Sequence, residues 1–363
     1  MNIADLDTPA VIIDLDVMER NLARAAAYCQ QHQLRLRPHT KTHKIPAIAQ
    51  QQLAHGASGI TVAKLGEAEV MRAAGITDML IAYPIVGESK LRRLAALVPQ
   101  AHITVALDSE EAARGISKAA QESGGTISVL VEVDTGLGRC GLAIGPAVSD
   151  LCHQVQDLPG LCLAGIMTYQ GHIMGDAHAR EKLTGEENSR LAILLALLDK
   201  AHLSCQIISG GSTPNFFLSH QILGINEIRP GTYVFNDLNT VMAQAAQRED
   251  CAMSVLATVV STAVPKQMVV DAGSKSLSTD RLATGQSGFG QVQGAPELVV
   301  TGLSEEHGQI DVSRSQRKFS VGDRVRIIPN HVCTAMNLHD EAYGVRGDTV
   351  ECLWPIAGRG KVR

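Results

Sequence analysis

The densest concentration of reactive side chains is one basic string, Arg35-Leu36-Arg37-Pro38-His39-Thr40-Lys41-Thr42-His43-Lys44. As composition it reads as a solvated loop. As chemistry it offers a lysine that forms an imine with a carbonyl cofactor or substrate. Such a lysine must shed a proton, and like-charge repulsion from Arg37, His39, His43 and Lys44 promotes that. Spacing alone does not choose between Lys41 and Lys44. A second string, Ser209-Gly210-Gly211-Ser212-Thr213-Pro214, combines glycines that let backbone N–H groups approach an anion with hydroxyl donors; its plainer reading is a flexible turn. In Asp134-Thr135-Gly136-Leu137-Gly138-Arg139-Cys140-Gly141 the glycines permit a tight loop. Arg139 is there either a partner for a phenolate or carboxylate, or a surface arginine. The fourth string, Pro329-Asn330-His331-Val332-Cys333, sets His331 and Cys333 two apart. On an extended segment they face the same way, and imidazole with thiolate suits zinc or a similar ion. The competing reading is one buried His and one buried Cys. Two ligands leave a shell that substrate or water must complete, with His307 and Asp340 as further candidates.

These strings need a scaffold, and the chain alternates short β-branched runs with Ala/Leu-rich helical spacing. Strand candidates are 34–37, 59–62, 79–82, 102–107, 127–133, 165–168, 206–209 and 227–229. Helix candidates lie at 17–31, 45–55, 65–74, 109–123, 145–155 and 180–201. Ser109 and the acids after it mark a helix start. The alternation fits a (β/α)8 barrel; a doubly wound open sheet would produce the same pattern. In the barrel, the basic string ends the first strand at Pro38, on the face that carries chemistry, and the Gly-Gly-Ser-Thr string follows strand seven. After about residue 245 the texture changes to strands at 255–264, 268–271, 297–301, 319, 325–328 and 350–353 between glycine-rich turns. The expected organisation is a segment 1–24 able to join either domain through the strand-like 10–15, a barrel over 25–245, and a mostly β domain over 246–363.

Composition narrows the function classes. The chain has 363 residues, 45% of them hydrophobic, which is enough for a sizeable core. A net charge of -5 and 3% aromatics argue against nucleic-acid binding. No uncharged apolar run is long enough for a membrane span, and an acidic, non-basic start argues against a secretory signal. The 8 Cys, without CxxC pairs, read as reduced thiols in a cytoplasmic enzyme.

Taken together, the strings resemble the D-threonine aldolase and D-serine dehydratase family, within the alanine-racemase-like pyridoxal enzymes. The likeness runs in order through Asp7-Thr8-Pro9-Ala10, Arg37 to Lys44, Gly138-Arg139-Cys140-Gly141, Tyr169-Gln170-Gly171, Gly210-Gly211-Ser212-Thr213, Gly231-Thr232-Tyr233, Asp271-Ala272-Gly273, Glu306-His307-Gly308, His331-Val332-Cys333 and Asn337-Leu338-His339-Asp340. The resemblance implies a pyridoxal-binding TIM barrel with a C-terminal β domain, assembled as a homodimer. It implies pyridoxal 5'-phosphate on Lys41 rather than Lys44, with Arg139 facing the phenolic oxygen. Gly211, Ser212, Thr213, Gly231 and Tyr233 match the phosphate segments, Tyr169 lines the cofactor, and His331 and Cys333 match the divalent-metal pair, for zinc, manganese or cobalt. It implies a lyase acting on a D-3-hydroxy amino acid, with no nucleic-acid or membrane partner. Two outcomes stand open: retro-aldol cleavage to glycine and an aldehyde, or dehydration to a keto acid and ammonia. Aldolases of the family commonly carry Asp two after the metal His and Gln at the place of Ala63; Cys333 is dehydratase-like. Asn337 to Asp340 and the tail Trp354 to Gly360 are aldolase-like, and the expectation is an aldolase. A racemase needs no metal pair, and a non-catalytic pyridoxal-phosphate carrier lacks the β domain.

Overall fold

The computed structural model describes residues 1–283 and 285–363. The chain divides into two compact units, Met1–Arg24 with Thr42–Ile45 and Thr232–Gly360, and Ala25–Lys41 with Pro46–Gly231 and Lys361–Arg363.

The second unit is a parallel barrel. Its strands, in chain order, are Arg35–Leu36, Ile60–Val62, Asp78–Ile81, His102–Leu107, Ile127–Asp134, Leu161–Met167, Ile207–Gly210 and Glu227–Ile228. From strand two to strand eight each pairs with its chain neighbour, and strand eight pairs with strand one. The ring closes between strands one and two through the His39–Thr61 bridge and the Thr61 N–H to Pro38 C=O bond of 2.8 Å. Barrel strands one and eight are two residues long because the chain turns at Pro38 and at Pro230. Leu80, Ala106, Leu130 and Met167 form a buried cluster contributed by strands three to six. Strand six begins at Leu161, earlier than the apolar run suggests. All six expected helices form, with ends shifted by at most three residues. Ser109 caps the helix Glu110–Ser123 by accepting from Ala112 N, and Gly124 ends it at φ 67°. The helix Glu88–Leu97, not anticipated, buries Leu94 and Leu97 and turns its charged residues outward.

The first unit is a sheet in the order Gln267–Val270, Gly308–Asp311, Ala295–Leu303, Gly290–Val292, Arg324–Pro329, Met253–Ser261, Ala10–Asp14, Glu341–Arg346, Thr349–Pro355. Gln267–Val270 also pairs with Met253–Ser261, so the strands up to that point close on themselves. The N-terminal strand enters here, antiparallel to Met253–Ser261 and parallel to Glu341–Arg346, burying Ala10 and Ile12 against Leu256 and Val345. Phe319, expected in a strand, lies outside regular structure, its ring covered by Arg317 at 4.9 Å. The strands Gly290–Val292, Gly308–Asp311 and Glu341–Arg346 escape the sequence reading: the first two are short and open on glycine, and Gly344 interrupts the third. Among the described residues, no helix is long and apolar enough to cross a membrane.

Candidate active site

Lys41 occupies a 3-10 turn, Thr40–Thr42, directly beyond barrel strand one. Thr40 anchors the turn by donating its hydroxyl to Thr61 C=O at 3.1 Å, and Lys41 N–H points to His39 Nδ1 at 3.4 Å. Burial first, then the charges of Lys41, Arg229 and Arg139, hold His39 well below the usual imidazole range, so its ring is neutral.

The basic string does not stay together as a patch. Arg37 turns into the barrel, donating to Glu227 at 2.9 Å and pairing with Asp78. Its guanidinium charge is thereby met by two carboxylates. The cations sharing a field with His39 and Lys41 are Arg229 and Arg139, both remote in sequence. Arg229, from the end of strand eight, is fully buried; its guanidinium donates to Ser209 Oγ at 2.6 Å and Thr168 C=O at 2.7 Å, and burial lowers its pKa to about 10. Arg139 stands on the loop after strand five with its guanidinium 4.8 Å from the Tyr169 ring centre. Asp134 shapes that loop by accepting from Gly136 N and Gly138 N, each at 3.0 Å, and Asp108 accepts from Gly141 N at 2.9 Å. Glu132 lies buried on strand five; burial raises its pKa, while Arg139 and Arg229 pull the other way.

In the loop after strand seven, internal hydrogen bonds take up part of the expected anion-binding groups. Gly211 takes φ +76°, which favours glycine, and its N–H is engaged by Gln170 Oε1 at 2.6 Å. Gly211 therefore shapes the turn. Ser212 N–H and Oγ both go to Asn215 Oδ1, at 3.0 and 2.8 Å. Gly231 N–H donates to Thr213 Oγ1 at 3.2 Å, leaving the Thr213 hydroxyl proton for an outside acceptor. Tyr169 begins the segment that carries Gln170, and Gly231 closes this unit.

Tyr233 and the His–Cys pair belong to the other unit. Tyr233 is buried in a 3-10 turn, Thr232–Val234. His331 is the extended residue before a helix, Val332–Met336, so Cys333 sits in a first helical turn rather than on the expected extended segment. The cause is Asp237. Its Oδ1 caps Thr240 N at 2.9 Å, while Oδ2 accepts from Val332 N at 3.1 Å and lies 3.2 Å from His331 Nδ1. Cys333 Sγ lies 3.3 Å from Thr42 Oγ1 and 3.8 Å from Thr232 Oγ1. Burial opposes charge on His331, yet Cys333 and Asp237 together lift its pKa to about 11. A field that strong favours a cation at this point. With Nδ1 directed at Asp237, Nε2 is the ring atom available to a metal, the usual carboxylate–histidine arrangement. The donor set therefore fits a borderline-soft divalent ion with open positions. Asp340 instead pairs with Arg359 at 2.7 Å, and among the described residues no three His, Cys, Asp or Glu converge on one metal position. Asp237 escapes the sequence reading; its Asp-x-x-Thr capping pattern is visible, but nothing there announces a partner 94 residues away.

Comparison with known proteins extends over the whole chain. Residues 13–238 match the family model described as alanine racemase, N-terminal domain, and residues 252–345 match the putative serine dehydratase domain. The chain is 36% identical to the D-threonine aldolase of Arthrobacter sp., covering 99% of this chain and 94% of that protein. It is also 36% identical to the D-threo-3-hydroxyaspartate dehydratase of Delftia sp. (strain HT23), covering 90% of this chain and 91% of that one. The crystal structure of D-threonine aldolase from Filomicrobium marinum is similar at a TM-score of 0.93 and 37% identity, covering 99% and 98% of the two chains.

Proposed function

The chain belongs to the D-threonine aldolase and D-serine dehydratase family of lyases, and we propose that it cleaves a D-3-hydroxy amino acid to glycine and an aldehyde, using pyridoxal 5'-phosphate and a divalent metal. The observation that carries this reading is the His331–Cys333 pair oriented by Asp237, an electronegative donor set that racemisation does not need. When bound, the cofactor supplies an electron sink for charge at the substrate Cα, and the metal supplies a Lewis acid for the β-hydroxyl.

The chain's own residues then have separate tasks. Lys41 Nζ would hold the cofactor carbonyl carbon. Arg139, steadied over the Tyr169 ring, would meet the phenolic oxygen with a planar cation. The Thr213 hydroxyl, within the turn shaped by Gly211, Ser212 and Gly231, would donate to the phosphate; Tyr233 is carried over as a phosphate residue on the family resemblance alone. His331 Nε2 and Cys333 Sγ would hold the metal, while Asp237 keeps the imidazole from rotating. His39, kept neutral, adds no positive charge beside Lys41.

A dehydratase outcome is the second reading, favoured by Cys333 where aldolases of the family commonly carry Asp. The two differ in where a proton leaves: the β-hydroxyl oxygen in the aldolase, or Cα, with Lys41 Nζ as base, in the dehydratase. Incubation with D-threonine, D-serine and D-3-hydroxyaspartate decides between them. Glycine and an aldehyde are expected. Ammonia and a keto acid as the main products establish dehydration, and no product from any of the three overturns the lyase reading.

A further inference from the structure

Behind the loop after strand seven lies a buried polar chain that runs from Gly211 through Gln170 to Glu187. Gln170, fully buried, donates through Nε2 to Glu187 Oε1 at 2.6 Å and to Thr168 Oγ1 at 2.6 Å, and accepts from Gly211 N at 2.6 Å through Oε1. Its backbone C=O lies 3.2 Å from the Ser212 hydroxyl, sharing that proton with Asn215 Oδ1. One residue thus grips the turn by main chain and side chain together.

Glu187 lies on the helix Ala177–Lys200 and is also fully buried. Among the described residues its second oxygen has no hydrogen-bond partner, and His172 Nε2 stands off at 3.8 Å. Burying a carboxyl group on so few contacts is costly, so its place here needs a reason. Gln170 supplies one. An amide flipped end for end would set its carbonyl against the Glu187 carboxylate and its NH2 against the Gly211 N–H. Glu187 therefore dictates which end of the amide meets Gly211. Gly210 leaves room for this contact, because a Cβ there would lie 2.7 Å from Gln170 Oε1.

We propose that Glu187 is a positioning residue for the cofactor phosphate: acting through Gln170, it fixes the Gly211–Thr213 turn in its anion-receiving form. The inference rests on the reading of that turn as the phosphate site. Losing the carboxylate leaves a buried Gln170 donor unsatisfied and frees the amide to turn, so the cost falls on the phosphate rather than on the ring of the ligand.

The test compares dissociation constants of pyridoxal 5'-phosphate and of pyridoxal, which lacks the phosphate, for wild type, Glu187→Leu and Glu187→Gln, with no turnover involved. Glu187→Leu should weaken pyridoxal 5'-phosphate by about tenfold or more and leave pyridoxal unchanged, while Glu187→Gln, which keeps one acceptor oxygen, restores most of the loss. If Glu187→Leu does not fold, Glu187→Asp, which withdraws the carboxylate from Gln170, must show the same split. Equal weakening of both ligands marks a merely structural role and overturns the inference, as does no weakening at all. A wild-type protein that binds pyridoxal 5'-phosphate no better than pyridoxal overturns the phosphate-site reading itself, and the inference with it.

Discussion

Lys41 and Lys44 stand three apart in one basic string, yet their surroundings separate them. Lys41 follows strand one beside a neutral His39, whereas Lys44 is buried, takes φ 55° and donates to Asn337 Oδ1 at 2.7 Å. Lys41→Ala should abolish the covalent, borohydride-reducible attachment of pyridoxal 5'-phosphate, and Lys44→Ala should keep it; peptide mapping after reduction checks both. A label recovered at wild-type level from Lys41→Ala would sink the assignment. His39 and His339 also set a pH dependence. Burial lowers both, most strongly His39, from the ordinary 6.5. Above that value neither state takes up a proton at these rings. As the pH drops below it, the unfolded chain binds protons that the folded one refuses, so stability is lost on the acid side. Melting curves between about pH 8 and pH 5 should fall below about 6.5, and His39→Asn should flatten the fall. An unchanged slope in that variant counts against the buried neutral ring.

Short elements hold these residues, and their glycines and caps carry unequal loads. A Cβ at Gly210 would collide with Ile225 Cδ1 and meet the locked Gln170 amide at 2.7 Å. Gly210→Ala should therefore cost about 1–3 kcal/mol of stability and weaken cofactor binding, read from denaturant melts and a pyridoxal 5'-phosphate titration. Asp237 caps two helix starts and orients His331. Asp237→Ala should cost about 1 kcal/mol as a cap and about 10–100-fold in metal affinity. Competition against a metal-sensing chelator reads the second effect, and unchanged affinity there removes Asp237 from the metal's support. Most barrel elements were legible because alternation and capping are local. The helix Glu88–Leu97 and the strand Glu341–Arg346 were not, since polar residues or glycine dilute their patterns.

At the scale of the whole molecule, the chain changes unit between Lys41 and Thr42 and again between Gly231 and Thr232. The proposed cofactor lysine and the hydroxyl beside Cys333 are thus consecutive residues. Removing the metal with a chelator should abolish turnover while the cofactor stays attached, and His331→Ala should do the same; activity unchanged in the chelator-treated variant rules out the metal's role. The homodimer implied by family resemblance predicts a sedimenting mass twice the 38.6 kDa of one chain, and a monomer at assay concentration would refute it. The amino-acid sequence by itself determined what is written locally: the order of barrel strands and helices, the reactive lysine string, the glycine loops and the His–Cys spacing. Tertiary structure alone decided which distant groups meet. It placed the N-terminal strand in the β sheet, turned Arg37 toward Glu227, set Asp237 behind His331, and joined Glu187 to Gly211 through Gln170. The physical reason is that a hydrogen bond between residues remote along the chain imposes no periodicity on either segment, so it exists only once packing has excluded water from both partners.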